Sequence, residues 1–212
     1  MGIHIVLEDA GRRFNRDWIF RHIDFEIHSG DKLALLGNNG SGKSTLLQML
    51  SGYLSPSEGE VSFFNNKEKL PIESVFKHLA MATPYTTVHE EMTLREAISF
   101  HFTFKQPAPG LSKEDFAAFL RLQTHLNKPI RFFSSGMKQR VKLGLAIGSA
   151  SDLLLLDEPA SNLDAENIQW YRQVLMEHAS GRTVVICSNR FDPEYDFCNR
   201  QLVVDDFKKL RT

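Results

Sequence analysis

Gly37-Asn-Asn-Gly-Ser-Gly-Lys-Ser-Thr45 is the stretch on which the fold turns. It has the spacing G-x-x-x-x-G-K-[ST], it follows the apolar run Lys32-Leu36, and it opens a segment, Lys43 to Leu50, that places Leu46, Leu47 and Leu50 on one helical face. Strand, glycine-rich loop, helix is the expected order, with Gly52 closing the helix. Gly37, Gly40 and Gly42 permit a tight loop, with Asn38, Asn39 and Ser41 between them, whose backbone N–H groups turn inward while the helix adds its positive end. Such a loop suits the phosphates of a nucleotide. Lys43 is expected to reach the β- and γ-phosphates, Ser44 to offer its hydroxyl to Mg²⁺, and Thr45 to add an α-phosphate contact.

Downstream, Asp152-Leu-Leu-Leu-Leu-Asp157-Glu158-Pro159 sets two acids at the end of an apolar strand. In a parallel sheet that end opens on the same edge as the phosphate loop. Asp157 is then suited to hold Mg²⁺ through water, and Glu158 to orient or deprotonate an attacking water.

The rest of the chain fits an alternating α/β plan. Ile3-Leu7, Ile23-His28, Val61-Phe64 and Leu79-Thr83 read as strands. From residue 85 to 150 the pattern becomes helical: Thr93 caps a first helix carrying Leu94, Ala97, Ile98, His101 and Phe102 on one face. A second helix is expected over Ser112 to Leu122 and a third over Gly136 to Gly148. Strand Asp152-Leu156, helix Ala165-His178 and strands Arg182-Cys187 and Gln201-Val204 then return to the β/α alternation of a mostly parallel sheet. The 212 residues, 42% hydrophobic, suffice for one sizeable core with a small lobe set into it. A formal charge of −1 gives no overall basic field for nucleic acid. Cys187 and Cys198 make neither a metal spacing nor a disulfide framework. No apolar run approaches the length of a membrane helix, no signal peptide is legible at the N-terminus, and Val6 stands where a myristoylation signal needs Ser or Thr.

Between the loop and the acids lies Phe133-Ser134-Ser135-Gly136-Met137-Lys138-Gln139-Arg140, which resembles the Leu-Ser-Gly-Gly-Gln signature and basic helix of the ABC-type ATPases. Ser161-Asn162-Leu163-Asp164 resembles the loop that follows the two acids in that family. The likeness runs in order from about residue 3 to 205. It implies a P-loop NTPase fold with a mostly parallel sheet, an N-terminal antiparallel β part and an inserted helical subdomain. The division expected is a catalytic core of residues 1–84 and 151–212 and a helical lobe of residues 85–150. It implies ATP and Mg²⁺ as ligands, and a head-to-tail dimer in which Ser134, Ser135 and Gly136 of one copy close on the nucleotide held by the other, with Asp164 nearby. Phe14 aligns with the family's adenine-stacking aromatic, and Trp18 competes with it.

The resemblance also marks departures. The family's glutamine should fall near Thr83-Pro84-Tyr85, and none is there. Its switch histidine aligns with Asn189, which can donate a hydrogen bond to a γ-phosphate but carries no charge, so hydrolysis is expected to slow more than binding. Asn189-Arg190-Phe191-Asp192 also looks like the guanine-reading Asn-Lys-x-Asp of GTPases, although the two acids do not follow the GTPase pattern. The function expected is the ATP-hydrolysing subunit of a transporter, held at the inner, cytoplasmic face of the membrane through separate membrane-spanning partners. Phe100, Phe102 and Phe104 are candidates for that contact. The dimer partner is a second copy or a related ATPase subunit. A soluble regulatory ATPase of the same family is the alternative, and a small-molecule kinase fits less well, since the arginines do not cluster as a lid.

Overall fold

The computed structural model describes residues 2–208; residue 1 and residues 209–212, the ends of the expected single domain, lie outside them. Strands β1 (His4–Phe14), β2 (Asp17–Ile27), β4 (Glu58–Asn65) and β5 (Glu68–Leu70) form an antiparallel sheet in the order β2-β1-β4-β5. Strands β3 (Lys32–Leu36), β6 (Leu79–Ala82), β7 (Leu153–Asp157), β8 (Thr183–Ser188) and β9 (Arg200–Val203) form a parallel sheet in the order β6-β7-β8-β3-β9. Every residue of β7 and β8 is buried, as expected for strands covered on both faces.

The two faces of the parallel sheet organise two cores. Leu33, Leu35, Leu155, Val185 and Cys187 pack with Leu46 and Leu47 of α1 (Lys43–Leu50) and with Ile5, Phe20 and Phe63 of the antiparallel sheet. Ala34, Leu154, Leu156, Val184 and Ile186 pack with the helices of the opposite layer. A one-turn α2 (Val75–His78) precedes β6. The opposite layer holds α3 (Leu94–Phe104), α4 (Phe116–Phe119), α5 (Ser135–Ile147) and α6 (Ala165–His178). Thr93 caps α3 through a reciprocal pair with Glu96, whose side chain accepts the Thr93 N–H.

Three expectations change. The helix expected over Ser112–Leu122 shrinks to the single turn of α4. Ser112 and Asp115 close a local turn, with the Asp115 N–H donating to Ser112 Oγ at 3.1 Å, and the chain reverses at Arg121, where φ is +52°. The first two strands are longer than read, because Asp9 and His22 adopt φ of +49° and +57° at register shifts that break the alternation. Phe102, one of three aromatics offered for docking, is a core residue at 2% exposure, whereas Phe100 and Phe104 are exposed.

Candidate nucleotide site

The loop between β3 and α1 is shaped by glycines that nothing larger can replace. Gly42 has φ of +103°, and a Cβ there would lie 2.5 Å from Ile19 Cγ2. At Gly37 an added Cβ would lie 2.5 Å from Ser41 Oγ and 2.9 Å from Asp205 Oδ2. Lys43 Nζ folds back into the loop, donating to the carbonyls of Gly37 (2.8 Å) and Asn38 (3.1 Å) and to Asn189 Oδ1 (2.5 Å). No side chain caps the N-terminus of α1, and Ser41 Oγ is buried with no hydrogen-bond partner among the described residues. Open helix N–H groups, an orphaned hydroxyl and an ammonium in one cradle fit a polyphosphate. Asn39 and Gly40 form the exposed crest of that loop, and Thr45 follows Ser44 in the first turn of α1.

Asp157 ends β7 beside Cys187 of β8, so the parallel register delivers it to the loop's edge of the sheet. It is buried, and that burial raises its carboxyl above the ordinary range. The neighbouring Glu158 charge adds to the effect, while the Ser44 hydroxyl bonded to it and the Lys43 ammonium oppose it. Glu158 turns out of the strand with φ of +47°, its N–H donating to the Cys187 carbonyl at 3.0 Å. Asn189, just beyond the end of β8, donates from Nδ2 to Glu158 Oε1 at 2.6 Å. Lys43, Asn189 and Glu158 therefore form one continuous hydrogen-bonded chain. Glu194 is also raised by burial and feels both other acids. Asp157, with the Ser44 hydroxyl bonded to it and Glu158 beside it, makes an oxygen donor set suited to Mg²⁺.

The structure brings the signature residues to a different place. Ser134 caps α5, its Oγ accepting from the Met137 N–H at 3.2 Å, and Ser134 and Ser135 are exposed. Gly136 approaches the Asn162 carbonyl so closely that an added Cβ would lie 3.2 Å from it. Gln139 Nε2 donates to the Pro159 carbonyl at 3.1 Å, tying α5 to the loop after the acids. Asp164 spends one carboxylate oxygen on capping α6, accepting from the Asn167 N–H at 2.9 Å. Phe14 is 45% exposed at the end of β1, with the Arg12 guanidinium 4.8 Å from its ring centre. Trp18 is held by Arg21, 4.3 Å from its ring, and by Arg13. In place of the glutamine, Thr83 and Thr86 bond reciprocally, and Tyr85 is 79% exposed.

Three contributors escape a reading of motifs. Asp205 Oδ2 accepts the Asn38 N–H at 2.9 Å and braces the loop from outside. Glu194 Oε1 accepts the Ala160 N–H at 2.9 Å, holding the turn that presents Glu158. Gln139 lies inside the basic helix, where spacing alone gives it no role. The first two come from the distant C-terminal part of the chain, so only the folded topology reveals them.

A family model described as ABC transporter matches residues 20–161. A Brucella abortus protein named for ATP binding is 34% identical over 187 residues, 86% of this chain and 53% of that one. The energy-coupling factor transporter ATP-binding protein of Streptococcus sanguinis is 31% identical over 222 residues, covering 96% of this chain and 76% of that one. The chain thus spans about half the length of the first curated relatives it matches. Among solved structures, a dimeric ATP-binding cassette in a post-hydrolysis state with ADP and phosphate superposes with a TM-score of 0.79 at 19% identity, covering 98% of this chain and 97% of that one. An ATP-bound Atm1-family bacterial exporter gives 0.79 at 21% identity, covering 99% of this chain and 38% of that one. The fold is that of these cassettes, and on the family match and the Streptococcus sanguinis relative the chain belongs to the ABC transporter family.

Proposed function

We propose that this chain binds ATP with Mg²⁺ and hydrolyses it slowly, as the motor subunit of a transporter whose membrane-spanning parts are other chains. The observation that carries this reading is the hydrogen-bonded chain from Lys43 through Asn189 to Glu158. Asn38, Asn39, Gly40, Ser41, Gly42 and Thr45 cradle the phosphates with Gly37, and Lys43 meets the terminal ones. Ser44 and Asp157 hold Mg²⁺, which supplies charge neutralisation at the phosphates. Glu158 takes the proton of the attacking water. Asn189 keeps the Glu158 carboxylate turned toward that position and donates a neutral hydrogen bond where the family has a charged one, which is the reason assigned for slow turnover. Phe14 stacks on the adenine, and a partner's Ser134, Ser135 and Gly136, with Asp164 near them, complete the site from across a head-to-tail dimer. Residues 85–150 act as the lobe that carries this signature, and residues 1–84 with 151–212 as the catalytic core.

Asn189 also bears on the GTPase reading. Its amide is occupied by the phosphate-loop lysine and by Glu158, so it is not available at the far end of a nucleotide to read a base.

Docking to the membrane-spanning partners is assigned to a groove of about 600 Å³ beside β6, lined in part by Tyr53, Ile72, Phe76 and Tyr85. Tyr53, Phe76 and Tyr85 are 83%, 63% and 79% exposed, a clustering of aromatics that water alone does not favour. Among the described residues no helix is long and apolar enough to cross a membrane. Placement at the cytoplasmic face of a membrane belongs to this same proposal.

Steady-state turnover tests the catalytic half: Glu158→Gln should lower the rate by about 10²- to 10⁴-fold while ATP binding persists. Unchanged turnover would remove Glu158 from its role. Pull-down from detergent-solubilised membranes tests the other half. Recovery of an integral membrane protein with the wild type and its loss with Phe76→Glu support the transporter subunit; equal recovery with both chains, or none with either, favours the soluble regulator.

A further inference from the structure

At the far edge of the antiparallel sheet, three side chains with metal-binding atoms meet on the solvent face of β1 and β2. Glu26 pairs with Val6 and Ile27 with Ile5, and continuing that register sets His4 opposite His28. Alternation then turns His4, Glu26 and His28 to the same face while Ile5 and Ile27 enter the core. His4 Nε2 lies 2.7 Å from Glu26 Oε1, and His28 Nδ1 lies 3.5 Å from that same oxygen. One ligand atom from each residue lies within 4.8 Å of the other two.

We propose that His4, Glu26 and His28 form a binding site for a divalent transition metal, Zn²⁺ by ligand type, that pins β1 to β2. Two imidazoles and one carboxylate are a recurring zinc set, and metal–ligand distances of about 2.0–2.2 Å in a tetrahedron place ligand atoms roughly 3.4 Å apart. The His28–Glu26 separation already matches that spacing. The His4–Glu26 pair opens by less than 1 Å once the proton between them moves to the other ring nitrogen of His4, which leaves Nε2 free to ligate.

The surroundings hold the ligands in place. His4 is stacked between Phe64 and His28, with ring centres 5.4 and 5.8 Å away. Arg200 donates to the Glu26 carbonyl at 2.6 Å and fixes that backbone, while its charge is paired with Asp31 at 2.7 Å. Asp31 in turn accepts the His28 N–H at 2.9 Å. The fourth position faces solvent, so the site stays open to water.

The second cluster of this kind, Asp9, His22 and Glu58, is less suited. There Arg21 engages both oxygens of Glu58 and competes with any cation.

The test is calorimetric titration of nucleotide-free protein with ZnCl₂, alongside the thermal midpoint with and without zinc. One site should bind, and the midpoint should rise. His4→Ala and His28→Ala should each weaken that site by at least about tenfold, since even an outer-shell partner of a metal ligand contributes that much. His125→Ala, a half-buried histidine elsewhere, should leave it intact. Both ligand positions are on the surface, and retained ATP binding shows that the variants fold. No stoichiometric binding, or equal binding by wild type and both ligand variants, overturns the proposal.

Discussion

Asn189 joins a cation to an anion, and its amide has one face for each: Oδ1 accepts from Lys43 and Nδ2 donates to Glu158. A histidine in its place can carry charge toward a phosphate. Hydrogen bonds to charged groups exceed neutral ones by about 1 kcal/mol, which corresponds to roughly fivefold in rate if the difference appears only in the transition state. Asn189→His should therefore raise steady-state ATP turnover by about fivefold with little change in ATP affinity. Equal turnover would place the slow step elsewhere. Asp157 makes a second prediction at this scale. Burial raises its carboxyl above the ordinary value of 3.8, so the stability it contributes is complete at pH below that value and is lost as pH climbs through the folded-state value. At neutral pH the buried carboxylate destabilises the metal-free protein. Asp157→Asn should then raise the melting temperature of the metal-free protein at pH 7, with the difference vanishing near pH 3.8. The same variant should abolish stabilisation by Mg²⁺ in the presence of ATP. A lower midpoint at pH 7 would mean that the bond from Ser44 outweighs the burial.

Helix α5 shows how an element can serve two ends. Ser134 satisfies the Met137 N–H at its start, and Gly144 in its middle lies so close to Leu120 that an added Cβ would collide with the leucine side chain. Loss of a helix cap costs about 1 kcal/mol, so Ser134→Ala should lower the melting temperature of the nucleotide-free chain by about 2–4 °C. Gly144→Ala should cost about 1–3 kcal/mol through overpacking, read by urea unfolding. A neutral result would show that Leu120 moves aside freely. Thr93 marks the start of α3 in the sequence, and the structure shows Ser134 and Asp164 capping α5 and α6 in the same way, each by a side-chain bond to its own first turn. The length of β1 and β2 was not legible, because left-handed residues at Asp9 and His22 interrupt the alternation that reveals a strand. The short α4 departs from its expected length for the opposite reason. Its composition suits a helix, but the turn at Ser112 and the reversal at Arg121 leave room for only one helical turn. In the site, motif spacing exposed Lys43, Ser44, Asp157 and Glu158, while Asp205 and Glu194 depend on long-range closure of the chain.

At the scale of the molecule, the two halves of the proposed site are built for different neighbours. The phosphate loop, the two acids and Asn189 gather at one edge of the parallel sheet, each engaged with residues of the same chain. Ser134 and Ser135 are exposed at the start of α5, and the Ser134 hydroxyl, having accepted the Met137 N–H, still has its own proton to donate. A terminal phosphate presented by a second copy would receive that proton together with the positive end of α5, a 13-residue helix. Such closure is transient in a chain that hydrolyses ATP, and removing Glu158's carboxylate should trap it. With Mg²⁺ and ATP, Glu158→Gln should elute as a dimer of the 24.2 kDa chain by light scattering, and as a monomer with ADP. Adding Ser134→Arg should return it to monomer while ATP binding persists, since a bulky cation cannot enter the closed contact. A Glu158→Gln chain that binds ATP yet stays monomeric would overturn self-pairing, and a dimer insensitive to Ser134→Arg would show that the two copies meet through another surface.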